Sequence, residues 1–210
     1  MHMYFTPSRR LTAIALLAGT ALAIAGCSKT PDAVTADDMS KGGDNAKVTL
    51  IEYASVTCVH CADFNEKVLP QLEEKYIKTG KIKYVYREFL TPPNDVSAAG
   101  TLLARCAGKD KYFEVIDAVM RSQKEMFADG TAANAKPVLL NIAKQVGLSE
   151  AQFNACITDQ KGQERLRNNI DKYMKESNIE STPTFFINGK KFEGKTVADF
   201  EKAFADLGVK

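Results

Sequence analysis

Histidine is scarce in this chain of 210 residues: it occurs only as His2 and His60. Zinc sites draw their ligands mainly from cysteine and histidine, in closely spaced pairs. Among the five cysteines only Cys58 and Cys61 are close in sequence, so the second ligand pair of a structural zinc site is missing. Charge of one sign is lacking too. Lys and Arg number 28 against 26 Asp and Glu, a balance of +2. No basic stripe with interleaved aromatics appears, which excludes nucleic acid as an expected partner. There is no collagen-like period, no sustained heptad and no bulk disorder; with 45% apolar residues, the chain can form one domain of ordinary size with room for an insertion. The apolar run "LTAIALLAGTALAIAG" (11–26) is short for a stable membrane span. With Arg9 and Arg10 before it, it has the shape of an export signal.

That run ends in "IAGC" (24–27), which resembles the bacterial lipobox. The resemblance implies cleavage before Cys27 and lipidation of Cys27 itself. The expected arrangement is a signal peptide over 1–26 and a lipidated N-terminus with a polar, Gly-Gly-containing tether over 27–46. A soluble domain would follow, held at a membrane of the cell envelope. Acyl chains would anchor it, since each buried CH₂ contributes about 0.8 kcal/mol. Loss of residues 1–26 removes two arginines and no acids, leaving 26 charges of each sign, so partners are not selected by net charge.

Hydrophobic periodicity gives the order of elements. "KVTLIEY" (47–53) reads as a buried strand. "VTCVHCADF" (56–64) follows directly and opens a helix whose Phe64, Val68, Leu72 and Tyr76 share one face to about Lys78. Pro70 lies inside that helix and removes a backbone donor, so a kink is expected there. "KIKYVYREF" (81–89) alternates as a second strand. Helical patterns then cover 95–127 with a break near Gly108, 135–147, 149–159 behind a Ser149 cap, and 162–177. "TPTFFINGKKFEG" (182–194) returns to strand, its two runs joined by Asn188-Gly189, a hairpin signal. An amphipathic helix over 196–208, capped by Thr196, closes the chain.

A C-x-x-C pair can be half a zinc site, a structural disulfide or a redox centre. With Cys27 lipidated, four cysteines remain, and an exported chain lives where disulfides persist. Three pairings are formally possible. Cys58 and Cys61 can bridge locally, as such pairs do at a helix start, which leaves Cys106 with Cys156. Closing that loop would stabilise the fold by about 4 kcal/mol in the chain-entropy model.

The order of elements, "CVHC" after the first domain strand, "ESTPTFFINGKKFEG" near the end and the helical block between them together resemble the DsbA family of thiol oxidoreductases. The likeness covers roughly residues 41–208. It implies an α/β thioredoxin-like fold with an inserted α-helical domain: an N-terminal thioredoxin segment over 47–92, the helical insertion over 93–178 and a C-terminal thioredoxin segment over 179–210. "ARCAG" and "FNACI" are also similar to segments of a subgroup whose helical domain carries a second disulfide. The chain departs from the family at Val59-His60, where many relatives have Pro-His, and this leaves the strength of the oxidant open.

The chemistry of the pair follows from its place. The thiolate, not the thiol, attacks disulfides. At a helix N-cap, Cys58 would face unpaired N–H groups and the positive end of the dipole, which favour the anion. His60 is expected to donate to that thiolate or pair with it. Cys61 is expected to be the buried resolving cysteine. The resemblance implies three further site residues. Thr182 and Pro183 would form a cis peptide facing the cysteines and pair with an extended substrate. Glu52 would be a buried acid that moves protons during exchange, its pKa raised by low dielectric.

The resulting expectation is an enzyme that introduces disulfides into exported cysteine-containing proteins and is reoxidised by an integral membrane partner of the DsbB type. It would need no organic cofactor and no metal, the redox-active disulfide serving instead. Three alternatives stand beside it. A disulfide isomerase or reductase would need a dimerisation domain, for which 28–46 is too short and polar. A copper-binding thioredoxin-like chaperone would use the same thiolates, but no methionine-rich or histidine cluster accompanies them. The last is a non-catalytic lipoprotein using the fold as a binding platform.

Overall fold

The structure, a computed structural model, describes residues 1–3 and 33–209. Most of the signal segment, and Cys27 with its expected lipidation, lie outside the described residues. No described helix is long and apolar enough to cross a membrane.

Among the described residues, five strands form one sheet: β1 (Met39–Gly42), β2 (Val48–Ala54), β3 (Ile82–Glu88), β4 (Thr184–Ile187) and β5 (Lys190–Phe192), in the order β1-β3-β2-β4-β5. β2 and β3 run parallel, with Leu50 opposite Tyr84 and Glu52 opposite Tyr86; the other pairs are antiparallel. β4 and β5 turn through Asn188 and Gly189, both at positive φ (48° and 76°), as a two-residue hairpin with right-handed strand twist requires.

β1 falls inside the stretch expected to be a tether. "MSKG" has no apolar alternation, and the strand exists by backbone pairing to the edge of β3, which needs no side-chain pattern. Met39 enters the core and Asp38 meets Arg87, with both partners of that ion pair only 3% exposed, so the ordered domain begins ahead of Lys47. β3 differs from its expected alternation as well. It lies between β1 and β2 with both faces covered, and all of it but Lys83 is buried. Its terminal charges are compensated. Arg87 donates to Asp38 and to Tyr53 Oη, while Glu88 accepts from Arg105 and from Tyr112 Oη.

The helix after the cysteines is broken where Pro70 predicts. α1 (Val59–Lys67) ends, and α2 (Leu69–Leu72) restarts with Pro70 in its first turn, where a missing N–H costs nothing. One π-helical turn (Glu73–Ile77) follows. The insertion comprises α3 (Asn94–Cys106), α4 (Tyr112–Arg121), α5 (Gln123–Met126), α6 (Ala135–Gln145), α7 (Glu150–Ile157) and α8 (Gln160–Glu176). Gly108, at φ +86°, makes the expected break after α3. Ser149 caps α7 and Thr196 caps α9 (Val197–Asp206), each in a reciprocal capping box. Cys106 and Cys156 form a disulfide between the ends of α3 and α7, with Cα atoms 5.9 Å apart.

The sheet separates two apolar clusters. On one face Phe64, Phe185, Phe200 and Phe204 pack together with the apolar sides of α3, α4 and α6. On the other, Tyr173 of α8 meets Tyr53 of β2 edge-to-face, beside Ile51, Val85 and Phe186. Glu52, Tyr84, Tyr86 and Glu88 all point from the sheet into the first face, because alternate residues of neighbouring parallel strands share a side.

Candidate active site

β2 delivers the chain to Cys58, which is the N-cap of α1 in extended backbone (φ −79°, ψ 119°). The Cys61 N–H donates to Cys58 Sγ at 3.3 Å, so a sulfur occupies the place usually taken by a capping oxygen. Both cysteines are free thiols; Cys58 is 9% exposed and Cys61 fully buried behind it. The Thr182–Pro183 peptide is cis and sets the segment before β4 against the pair, where the Cys58 thiol reaches the Thr182 carbonyl at 3.4 Å.

This setting drives the two sulfurs apart in acidity. The Cys58 pKa is lowered from 9.0 to about 5. The Cys61 thiol bonding to its sulfur is the largest cause and outweighs burial; the N–H groups of Cys61 and His60 lower it further. Cys61 is pushed well above 9.0 by burial, by its bond to Cys58 and by the negative charges of Glu52 and Cys58.

Glu52 is buried beneath the pair. Burial raises its pKa from 4.5 to about 8, with Tyr84 and Lys41 pulling down and Cys58 pushing up. Tyr84 Oη donates to Glu52 Oε2, while among the described residues Oε1 has no partner. His60 is exposed, and among the described residues its imidazole makes no hydrogen bond. The expected imidazole–thiolate bond is absent among the described residues, and His60 acts on Cys58 through its backbone N–H. The imidazole instead lines a groove of about 490 Å³ with Phe64, Thr182, Pro183, Phe192 and Lys195. Among the described residues, no three of His, Cys, Asp and Glu cluster as metal ligands.

A thioredoxin family model matches residues 34–206, nearly the whole described domain. The chain belongs to the thioredoxin family, in its DsbA-like branch. It is 31% identical over 167 residues to a protein of Rickettsia bellii provisionally named protein-disulfide oxidoreductase, and 32% identical over 167 residues to one of Rickettsia typhi with a similar name. These matches take in 80% of the chain but only 63% and 60% of those relatives, so the chain spans about three fifths of their length. Among solved structures, Wolbachia pipientis alpha-DsbA1 superposes with a TM-score of 0.76 at 29% identity, covering 83% of this chain and 92% of that one. Chlamydia trachomatis DsbA shares the fold, with a TM-score of 0.71 at 18% identity over 85% of this chain and 94% of that one.

This DsbA-like site contains residues that sequence reasoning passed over. Gln123 of α5, in the insertion, donates its side-chain amide to the carbonyls of Val56 at 2.8 Å and Cys58 at 3.1 Å, tying the helical domain to the reactive loop. Ser55, Thr57, Thr91 and Ser97 form a hydroxyl cluster beside the same loop, with Ser55 Oγ 2.7 Å from Ser97 Oγ. Nothing in the local sequence marks either feature. Tyr84 could have been found: it lies two residues before Tyr86, the register partner of Glu52 in β2, and so on the same face of the sheet.

Proposed function

We propose that this DsbA-like chain is a thiol:disulfide oxidoreductase of the cell envelope that introduces disulfides into exported proteins. One observation carries the reading: Cys58 caps the N-terminus of α1 with its sulfur accepting the Cys61 N–H at 3.3 Å, and Cys61 lies fully buried behind it, a setting that lowers Cys58 to about 5 and holds Cys61 well above 9.0. A pair that stabilises its reduced form in this way is an oxidant, because it accepts electrons readily.

In the oxidised enzyme a substrate thiolate attacks Cys58 Sγ. The Cys58–Cys61 bond breaks, a mixed disulfide forms through Cys58, and Cys61 departs with the electron pair. That buried sulfur takes a proton, for which Glu52, protonated at neutral pH, is the donor at hand. A second substrate thiolate then attacks the substrate sulfur of the mixed disulfide. Cys58 leaves as a thiolate, and its low pKa makes it a good leaving group. The substrate loses two electrons and the enzyme pair gains them. The substrate backbone would lie extended along Thr182 and Pro183, with its side chains in the groove below. His60 lines the same opening, and Val59 next to it in the chain is exposed. A membrane partner of the DsbB type would reoxidise the pair, and no organic cofactor is required. Acylated Cys27 would hold the domain at the envelope membrane, near both.

The test is the reduction potential of the Cys58–Cys61 couple measured alongside oxidation of reduced, unfolded ribonuclease. A potential in the range of strong thiol oxidants, near −120 mV as a rough scale, with recovery of ribonuclease activity is the expected result. A potential near about −270 mV without oxidase activity would make the protein a reductant instead.

A further inference from the structure

The exchange step leaves Cys61, fully buried, in need of a proton at the moment when the substrate covers Cys58 from outside. Glu52 can give one, but must then recover it from solvent by a path that does not pass through the occupied groove. A second cleft, of about 350 Å³, is bordered by Asn65 of α1 and Leu69 and Pro70 of α2 and shares no lining residue with the substrate groove. Its walls include Lys41 of β1, Glu73 of the π turn, Phe113 of α4, and both Tyr84 and Tyr86. Lys41 Nζ bonds Glu73 Oε2 at 2.7 Å at the mouth and stands 5.7 Å over the Tyr84 ring. Tyr84 is thus a side chain that both borders this cleft and donates to the carboxyl of Glu52.

We infer that Tyr84 is the proton relay of this site, returning protons to Glu52 from solvent in the Lys41–Glu73 cleft while substrate occupies the groove. The inference rests on the oxidoreductase reading above and deepens it. The transfer balances. Glu52 gives its proton to the Cys61 thiolate and becomes a carboxylate. Tyr84 passes its hydroxyl proton to Oε2 and takes another from solvent at its own oxygen, so that no net charge stays on the phenol. Substrate oxidation and reduction of the pair are unchanged; only the path of the proton is assigned.

The surroundings suit that role. Glu52 is faced by Cys58 and Cys61 from the start of α1, by Tyr84 and Tyr86 from β3, and by Lys41 from β1. Tyr84 is faced further by Tyr112 of α4. Lys41 is the single cation in this set, and its charge steadies the carboxylate that forms after donation. Burial and the neighbouring carboxyl push the Tyr84 pKa well above 10.0, so the phenol is protonated at working pH and ready to donate. Tyr86 Oη, also buried, has no hydrogen-bond partner among the described residues and is not bonded to Glu52.

The experiment uses the full chain in single-turnover reduction of the Cys58–Cys61 disulfide by a dithiol peptide, followed against pH in water and in deuterium oxide. Wild-type protein that fails to exchange with the peptide overturns the oxidoreductase reading itself. With exchange established, Tyr84→Phe, which keeps the ring and removes the hydroxyl, is expected to slow the step by at least about tenfold and to raise the solvent isotope effect above about pH 8, where Glu52 starts as the carboxylate and must be protonated through Tyr84 before it can serve Cys61. An unchanged rate and isotope effect overturn the relay and leave the oxidoreductase reading standing. A larger loss in Tyr86→Phe than in Tyr84→Phe also overturns it, by placing the path through the other phenol. Should Tyr84→Phe fold poorly, Tyr84→3-fluorotyrosine keeps the hydroxyl and acidifies it. The pH profile of the rate is then expected to shift to lower pH, and an unshifted profile refutes the relay.

Discussion

The reduction potential of the Cys58–Cys61 couple is expected to follow pH with half the slope of an ordinary dithiol. Two electrons reduce the disulfide, and two protons accompany them only when both products are thiols. Here Cys58, at about 5, is a thiolate through the neutral range, and Cys61, well above 9.0, is a thiol. One proton is therefore taken up between about pH 5.5 and 7, a window in which Glu52, at about 8, stays protonated. One proton per unit of pH is a tenfold change in the equilibrium constant, or about 30 mV for a two-electron couple; below about pH 5 the slope should double to about 60 mV. The size of the stabilisation follows from the same figures. A thiol of pKa 9.0 is almost wholly protonated at neutrality, whereas one at about 5 is almost wholly ionised. At about pH 7 the difference favours the reduced form by about 2.7 kcal/mol, equal to about 60 mV of oxidising strength. The gain vanishes as pH falls through about 5 and is complete above 9.0, the ordinary pKa of the thiol. The assay is equilibration with glutathione buffers at a series of pH values. The chain has no tryptophan, so the redox state is read by alkylation and mass rather than by tryptophan fluorescence. Absorbance of the thiolate in the ultraviolet gives the Cys58 titration separately. A slope of about 60 mV per unit across the neutral window would refute the reasoning, since it would mean that Cys58 is still a thiol there.

Three further outcomes test the supporting structure. Glu52→Gln keeps the shape but cannot ionise; because the folded pKa is raised from 4.5 to about 8, ionisation opposes folding above 4.5. The variant should be more stable than wild type at about pH 7, by up to about 3 kcal/mol, with the difference disappearing as pH falls toward 4.5; a less stable variant at neutral pH counts against a buried, raised carboxyl. Replacing both Cys106 and Cys156 by alanine opens a loop with a sequence separation of 50 residues. That should cost about 4 kcal/mol in urea unfolding while leaving the Cys58 titration in place, and an unchanged midpoint would show that the bridge contributes nothing. Asp38→Asn takes a carboxylate from Arg87 in a site where both side chains are 3% exposed. A loss of about 3 kcal/mol is expected, and a loss no larger than that of an exposed pair would mean that residues 33–38 are not fastened to β3.

Much of this architecture was legible in the sequence because local rules act strongly there. The hairpin at Asn188-Gly189, the caps at Ser149 and Thr196 and the helix break at Pro70 each depend on the backbone preference of one or two residues, and each is found in place. The Cys58–Cys61 spacing likewise sets both sulfurs at a helix start, whatever surrounds them. β1 was hidden because an edge strand can be recruited by the unpaired backbone of its neighbour alone. The buried charges of β3 were hidden because Arg87 and Glu88 look solvent-facing until Asp38 and Arg105, distant in sequence, arrive to pair with them.

The sequence by itself determined which groups could react and which local shapes the chain could take: a thiol at a helix cap, a second thiol one turn on, an acid in the preceding strand. Tertiary structure decided how acidic those groups are. The lowering of Cys58 comes first from the Cys61 thiol that the fold buries behind it; the raising of Glu52 comes from a core that closes over it. It also decided that His60 is exposed at the groove and that the Gln123 amide turns in. Spacing along a chain fixes what is adjacent, but desolvation and long-range contacts depend on what the rest of the fold brings to the same place.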